Sequence, residues 1–403
     1  MYRLVFILSF FCLLFMGENV LSFMGYGIGI SESPFWQKLY PSIYFFLFLI
    51  IGLFFKRIRV LFNTIKRIKF YLLIFSLLII FSIFSLKSVP ISFLPNNFFL
   101  PILVLITLSC STKEEIKIAR KILILFFVLS SLLAIFEKIL HIHIFSSGFL
   151  RNNISIGEFR STSFNDHPLN NSLITSVIMG FLLVSEMKLF NKITLFMLGY
   201  VALLCFGSRS SSGLMILFLI VFIFKYQSLH KASGSFCIKK NTFVLYFLFF
   251  TATVIISVLL FNSSIADRIL NNLTIDKSIL ARVDVFNILR YLSFKEFVFG
   301  VNTDLIISYM RVSGLGNHIE NFWILWVLWF GIPFTILLSY YFISFCWKLI
   351  SNYSSFSKKF VFAVFFVIAS TNNSLAYSTT VISVFVLCAK VLQDGFLSRK
   401  ELA

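Results

Sequence analysis

Charge is scarce in this chain. Only 13% of its 403 residues are Asp, Glu, Lys or Arg, where a soluble domain carries about a quarter. With 59% of the residues hydrophobic, that shortage excludes a soluble globular protein. Cysteine is sparse too. Cys12, Cys110, Cys205, Cys346 and Cys388 lie in apolar runs and Cys237 in a basic loop, and no spacing fits a disulfide framework or a metal site. No A-x-A-like cleavage site follows the first apolar run, which ends near Met16, and further runs come after it. The N-terminus therefore reads as a retained first helix rather than a removed signal peptide. No internal repeat is evident.

What is present is apolar and periodic. The 55 Phe, with abundant Ile and Leu, fall into runs near the roughly 20 residues that cross a bilayer. Backbone polar groups in lipid must be satisfied within helices, so the fold class is all-α: a polytopic helical membrane protein, one integral domain over residues 1–403. Twelve spans fit, near 4–22, 42–55, 70–86, 98–110, 122–140, 168–186, 193–206, 213–224, 242–261, 321–346, 360–371 and 378–392. The net charge of +19 is not a nucleic-acid footprint, because Lys and Arg collect in alternate loops. Loops 56–69, 111–121, 225–241 and 348–359 fall on the cytoplasmic side, as do both termini.

The one long polar stretch, residues 262–320, then lies outside, between spans nine and ten. Within it Ala281, Val285, Ile288, Leu289 and Leu292 follow helical spacing, with Arg282, Asp284, Asn287 and Arg290 on the opposite arc. That pattern predicts an amphipathic helix on the membrane surface, capped by Ser278 and closed by a turn at Gly300.

Three polar clusters share the outer side: Arg151–His167, the Gly207–Gly213 turn, and the long loop up to His318. A guanidinium at the water–lipid boundary grips a phosphate through paired, charge-assisted hydrogen bonds. An imidazole there takes a proton from an attacking hydroxyl. Plainer readings stand beside these. Arg151 and Arg160 read equally as solvated loop charges, Arg282 as half of an ion pair, and His318 as an interfacial cap. His141 and His143 read as interface residues, and Glu137 and Lys138 as side chains that snorkel from a span end.

At these clusters the sequence resembles the O-antigen polymerase and O-antigen ligase superfamily. The similarity runs over about 150–335, through Phe159-Arg160-Ser161-Thr162-Ser163-Phe164 to Pro168, and then Gly207-Ser208-Arg209-Ser210. It continues at Ala281-Arg282-Val283-Asp284-Val285-Phe286, Phe299-Gly300, and His318 through Gly331-Ile332. The resemblance implies inverting glycosyl transfer from an undecaprenyl-pyrophosphate-linked glycan at the outer face of the bacterial inner membrane, without metal or other cofactor. It implies catalytic roles for His318, Arg282 and Arg209, and pyrophosphate or glycan binding by Arg160, Arg290, Arg151 and Arg311. Its implied partners are the lipid-linked glycan, the bilayer and, for a polymerase, a chain-length regulator protein. Polymerase is the leading reading and ligase the alternative. A lipid-linked oligosaccharide flippase is the reading from a different class, though almost no charge sits at span centres as a transporter requires.

Overall fold

The computed structural model describes residues 2–28, 33–85, 92–145, 159–232, 285–313, 319 and 321–395. Among them the chain is all-helical, apart from one isolated antiparallel bridge between Ser185 and Asp394. The helices are α1 (Tyr2–Phe15), α2 (Glu18–Phe23), α3 (Pro41–Ser85), α4 (Leu100–Ser109), α5 (Lys113–Leu140), α6 (Pro168–Val184), α7 (Leu189–Cys205) and α8 (Arg209–Ala232). The C-terminal part adds α9 (Phe294–Phe299), α10 (Thr303–Val312), α11 (Phe322–Leu349), α12 (Ser355–Ser370) and α13 (Val381–Val391). Among the described residues α5 and α11 are long and apolar enough to cross a membrane.

Apolarity decides where each helix sits. Every residue of α6 is buried, and it packs against α7, α12 and α13. Its only strongly polar side chains, at the Asn170–Ser176 end, include Asn171 and Ser176, which bond within the protein, so the helix has no charged face to offer water and takes the centre of the bundle. Pro168 opens α6 at a position where no backbone N–H is needed, and the His167 ring accepts from Leu169 N at 3.2 Å. The similarly apolar α4 is buried from Leu100 to Leu108 between α3 and α13.

The structure corrects the sequence reading at α3. Two spans with a basic loop over 56–69 were expected; two helices are present within Pro41–Ser85, but they meet directly at a kink at Arg57 (φ −140°, ψ 40°) and the basic residues are helical. Residues 53–85 contain neither Gly nor Pro, and Lys and Arg are good helix formers, so nothing local unwinds them. The break is held by tertiary contacts. The Arg57 guanidinium donates to the Cys110 carbonyl and pairs with Glu115 at 3.1 Å, while Glu115 closes a capping box with Thr112.

Connections expected on one side of the membrane hydrogen-bond to one another. At one end, Asn19 reaches Ser163 and Asn165, Asn97 reaches Leu375, Tyr377 and Thr379, and Asn373 reaches Ile319. At the other end, Arg57 meets the 110–115 turn, and Ser354 N–H donates to Asp394.

The described part of the long polar stretch folds differently from the single amphipathic helix expected. Residues Val285–Tyr291 form a 3-10 turn, followed by α9 and α10. Ser293, not Ser278, caps a described helix, in a capping box with Glu296; Ser278 lies outside the described residues. Gly300 ends α9 with φ +81°, where the turn was expected. Val285, Ile288, Ile306 and Met310 supply the module's buried face, and Phe294 and Phe299 stay exposed.

This module locks onto α11, which breaks at Gly331 (φ +71°) two residues before Pro333. A proline inside a helix removes one backbone donor, and its ring clashes with the carbonyl four residues earlier, here Trp329, so the helix breaks nearby. The Leu328 carbonyl accepts from Val301 N–H at 2.6 Å. A Cβ on Gly300 would lie 2.3 Å from the Trp329 carbonyl oxygen, and one on Gly331 would lie 2.1 Å from that of Val298. Backbone meets backbone there, and both glycines occupy the left-handed region.

Candidate functional site

The site is built on the end of the bundle where the loops 159–167, 206–208 and 371–380 meet. Its floor is the tip of α5. The Glu137 side chain, expected to snorkel, is fully buried. Its carboxylate accepts from the N–H groups of Thr162 and Ser163, both at 2.9 Å, and of Ile144 at 3.2 Å. Lys138, also buried, donates to the Phe159 carbonyl at 2.8 Å. These charges have turned inward because a returning loop offers them backbone partners, which lipid does not. Ser163 sits in the left-handed region (φ 49°), its hydroxyl donating to Ser130 O. The His143 ring stacks on Phe159 at 4.5 Å and its Nδ1 lies 3.2 Å from Thr162 Oγ1.

Arg160 extends from this floor to the end of α7. Its Nε donates to the Phe206 carbonyl and its Nη2 to that of Gly207, each at 3.2 Å. The guanidinium therefore caps helix carbonyls and clamps two loops together, a role beyond that of a solvated charge. Gly207 (φ +65°) turns the chain into α8. The Gly207–Gly213 segment was read as a turn, but helix begins at Arg209, so Ser210, Ser211 and Ser212 form the first turn of α8. Ser tolerates a helix start because its hydroxyl satisfies nearby polar groups. Ser208 Oγ donates to Ser211 Oγ at 2.8 Å, and Ser212 Oγ donates to Ser208 O at 3.0 Å. Arg209, half-buried, thus stands at the positive end of a 24-residue helix.

The 371–380 loop joins this cluster to the start of α11. Thr371 Oγ1 donates to Ser210 Oγ at 3.1 Å, and Asn373 Nδ2 donates to the Ile319 carbonyl at 3.0 Å. The Asn321 side chain caps α11 by accepting from Trp323 N and Ile324 N. The chain neighbours of Arg209 and of His318 are therefore both bonded to residues 371–373.

The other expected site residues divide. Arg290, in the last turn of the 3-10 segment, and Arg311, in the last turn of α10, are both exposed on the 285–313 module. The Tyr291 and Tyr309 rings stack beside them at 6.2 Å, and Tyr309 donates to Glu296 at 3.0 Å. No hydrogen bond among the described residues ties Arg290 or Arg311 to Arg160 or Arg209. His318, Arg282 and Arg151 lie outside the described residues.

Sequence reasoning missed a second polar group at this end. Glu18 was absorbed into a span over 4–22, but α1 stops at Phe15 and Glu18 opens α2 beyond it. Tyr40 Oη lies 3.2 Å from both Glu18 Oε1 and the Ser378 carbonyl. Burial, and then the charge of Asp166, push the Glu18 carboxyl up to about 8, with the Tyr40 hydrogen bond opposing. A carboxyl poised there can hold or give a proton near neutral pH. Gly17-Glu18 inside an otherwise apolar run was the available signal, as was the run of Thr, Asn and Ser over 371–380.

The raised value has a thermodynamic consequence. From about pH 5 up to 8 the folded chain keeps a proton on Glu18 that the unfolded chain has released, so stability falls as pH rises through that window. Glu18→Gln, which mimics the neutral form, should flatten that part of the curve. Melting temperatures of the detergent-solubilised protein from pH 5 to 8 measure this, and an unchanged slope in the variant would remove Glu18 as its cause. No family model matches the chain, and no curated protein matches it.

Proposed function

We propose that the chain is a polytopic inner-membrane glycosyltransferase that joins undecaprenyl-pyrophosphate-linked oligosaccharide units into a surface polysaccharide at the outer face of the membrane. It crosses the bilayer twelve times with both termini inside, and the long polar stretch lies outside. The observation that carries the reading is the seam at Thr371–Asn373, which bonds Ser210 beside Arg209 on one flank and Ile319 beside His318 on the other. A cation for a leaving pyrophosphate and a base for an attacking hydroxyl belong within reach of one reacting sugar.

The reaction balances without a cofactor, and the sequence has no outer Asp-x-Asp pair to hold a divalent ion. The acceptor hydroxyl attacks the anomeric carbon, and a new C–O bond forms as the bond to pyrophosphate breaks. The electron pair leaves with the pyrophosphate, whose developing charge Arg209 and Arg282 stabilise together with the amino end of α8. The hydroxyl proton passes to His318. Arg160 holds the loop that positions Arg209, and Arg290, Arg311 and Arg151 draw the anionic donor toward the outer face.

Deleting the gene tests the reading through the lipid-linked species that accumulates. A polymerase leaves single repeat units on the lipid carrier. Finished lipid-linked polymer would make the chain a ligase, with the same chemistry and a different acceptor. Unchanged surface polysaccharide and no accumulated intermediate would overturn both.

A further inference from the structure

The end of the bundle opposite the candidate site holds a cavity of about 410 Å³ between α3, α4, α11 and α13. Three cations from three helices line it: Arg67 of α3, Lys348 in the last turn of α11 and Lys390 in the last turn of α13. We propose that this cavity is a binding site for a phosphate-bearing anion, gripped by Arg67, Lys348 and Lys390.

Two ordinary explanations account for part of this charge. Cations favour helix C-termini, and Lys and Arg mark the cytoplasmic side of membrane proteins. Neither requires three of them to converge on one cavity. Arg67 and Lys390 are near enough to feel each other's charge, which is unfavourable unless an anion lies between them. Among the described residues no carboxylate lines the cavity or forms an ion pair with any of the three. Asp394, at the same end, is engaged by Ser354 N–H and the Ser357 hydroxyl.

The rest of the lining suits an oxyanion. Asn63, Ser109 and Asn352 bring amide and hydroxyl groups to the walls. The Lys348 ammonium lies 5.6 Å from the Tyr71 ring centre, and the Tyr71 hydroxyl is anchored on Ser344 O at 3.2 Å. One guanidinium fork and two ammonium point charges match the tetrahedral oxygens of a phosphate. The volume admits a phosphate ester with part of its alcohol. Arg67 and Lys348 are exposed at the rim, so two sources share the chemistry: an anionic phospholipid headgroup entering from the leaflet, or a soluble phosphate entering from water.

Binding to the full chain, purified in neutral detergent, tests this independently of any transferase activity. Phosphatidylglycerol and phosphatidylcholine retention is read by native mass spectrometry, and inorganic phosphate by thermal shift at constant ionic strength. The expected result is preferential retention of phosphatidylglycerol, falling about tenfold or more in the Arg67→Gln/Lys390→Gln double variant. Lys121→Gln, an exposed cation at the same end but outside the cavity, should bind as wild type. A phosphate shift that depends on Arg67 and Lys390, without lipid preference, would assign the soluble source. If the double variant folds poorly, Lys348→Gln carries the same expectation from an exposed position. Equal binding of both probes by wild type and the cavity variants, or an equal loss in Lys121→Gln, overturns the proposal.

Discussion

Replacing Arg209 with alanine is expected to cut glycan transfer about 30- to 1000-fold while the protein's abundance in the membrane stays near wild type. Arg209 opens α8, where the first backbone N–H groups have no helical carbonyl to meet and the helix presents its positive end. A fixed cation at that point adds to a field already favourable to a phosphate. Losing one charge-assisted contact that strengthens in the transition state costs about 2–4 kcal/mol, which corresponds to that range of rates. The structural cost is smaller, because the side chain is half-buried and the Gly207–Ser212 turn keeps its hydroxyl bonds and its anchor on Arg160. Arg209→Lys should recover only part of the activity, since an ammonium cannot reproduce a bidentate fork. Single-turnover rates on a lipid-linked donor, alongside immunoblots of membranes, measure both halves. Full activity in the alanine variant would leave Arg209 as a topological anchor only.

His318→Gln is expected to hold the lipid-linked donor yet form no new glycosidic bond. The residue after it is fixed, with the Ile319 side chain buried and its carbonyl held by Asn373. If the imidazole is the base, its neutral form is the active one, and wild-type activity falls as pH drops through the ring's titration, near 6.5 for an unperturbed imidazole. Glutamine keeps a hydrogen bond but accepts no proton. An assay of the purified protein from pH 5 to 8 separates the roles. Substantial activity in the variant, with the acid limb intact, would make His318 a cap or donor-binding residue and move the base elsewhere. Glu18 is the first candidate to test in that event.

Much of the fold was legible where the signal is local. The run at 168–186 announced α6 through Pro168 and its predominantly apolar composition, and the structure ends that helix at Val184. The start at Phe322 was legible because the polar stretch stops there. What escaped was set by residues distant in sequence. Glu137 and Lys138 look like a span end meeting water, and only the returning loop at 159–163 turns them inward. The basic segment after Arg57 reads as a loop by charge, yet charge does not unwind a helix without Gly or Pro. Of the candidate site, the Gly207–Ser210 motif and Arg160 were singled out by the outer placement expected of them. Their carbonyl clamp, and the role of Thr371 and Asn373, have no local pattern to betray them.

The paired glycines at 300 and 331 have a consequence for which changes the 285–313 module can tolerate. Because the joint is backbone against backbone, side-chain drift on α9 or α10 leaves it intact, whereas any Cβ at either glycine wedges it open. The segment between them is thus a closed circuit with welded ends, and it contains Arg311 and His318. Closing such a circuit costs only about 0.6 kcal/mol more for each doubling of its length. Insertions and deletions between Val312 and Phe322 should therefore be tolerated without loosening the weld to α11.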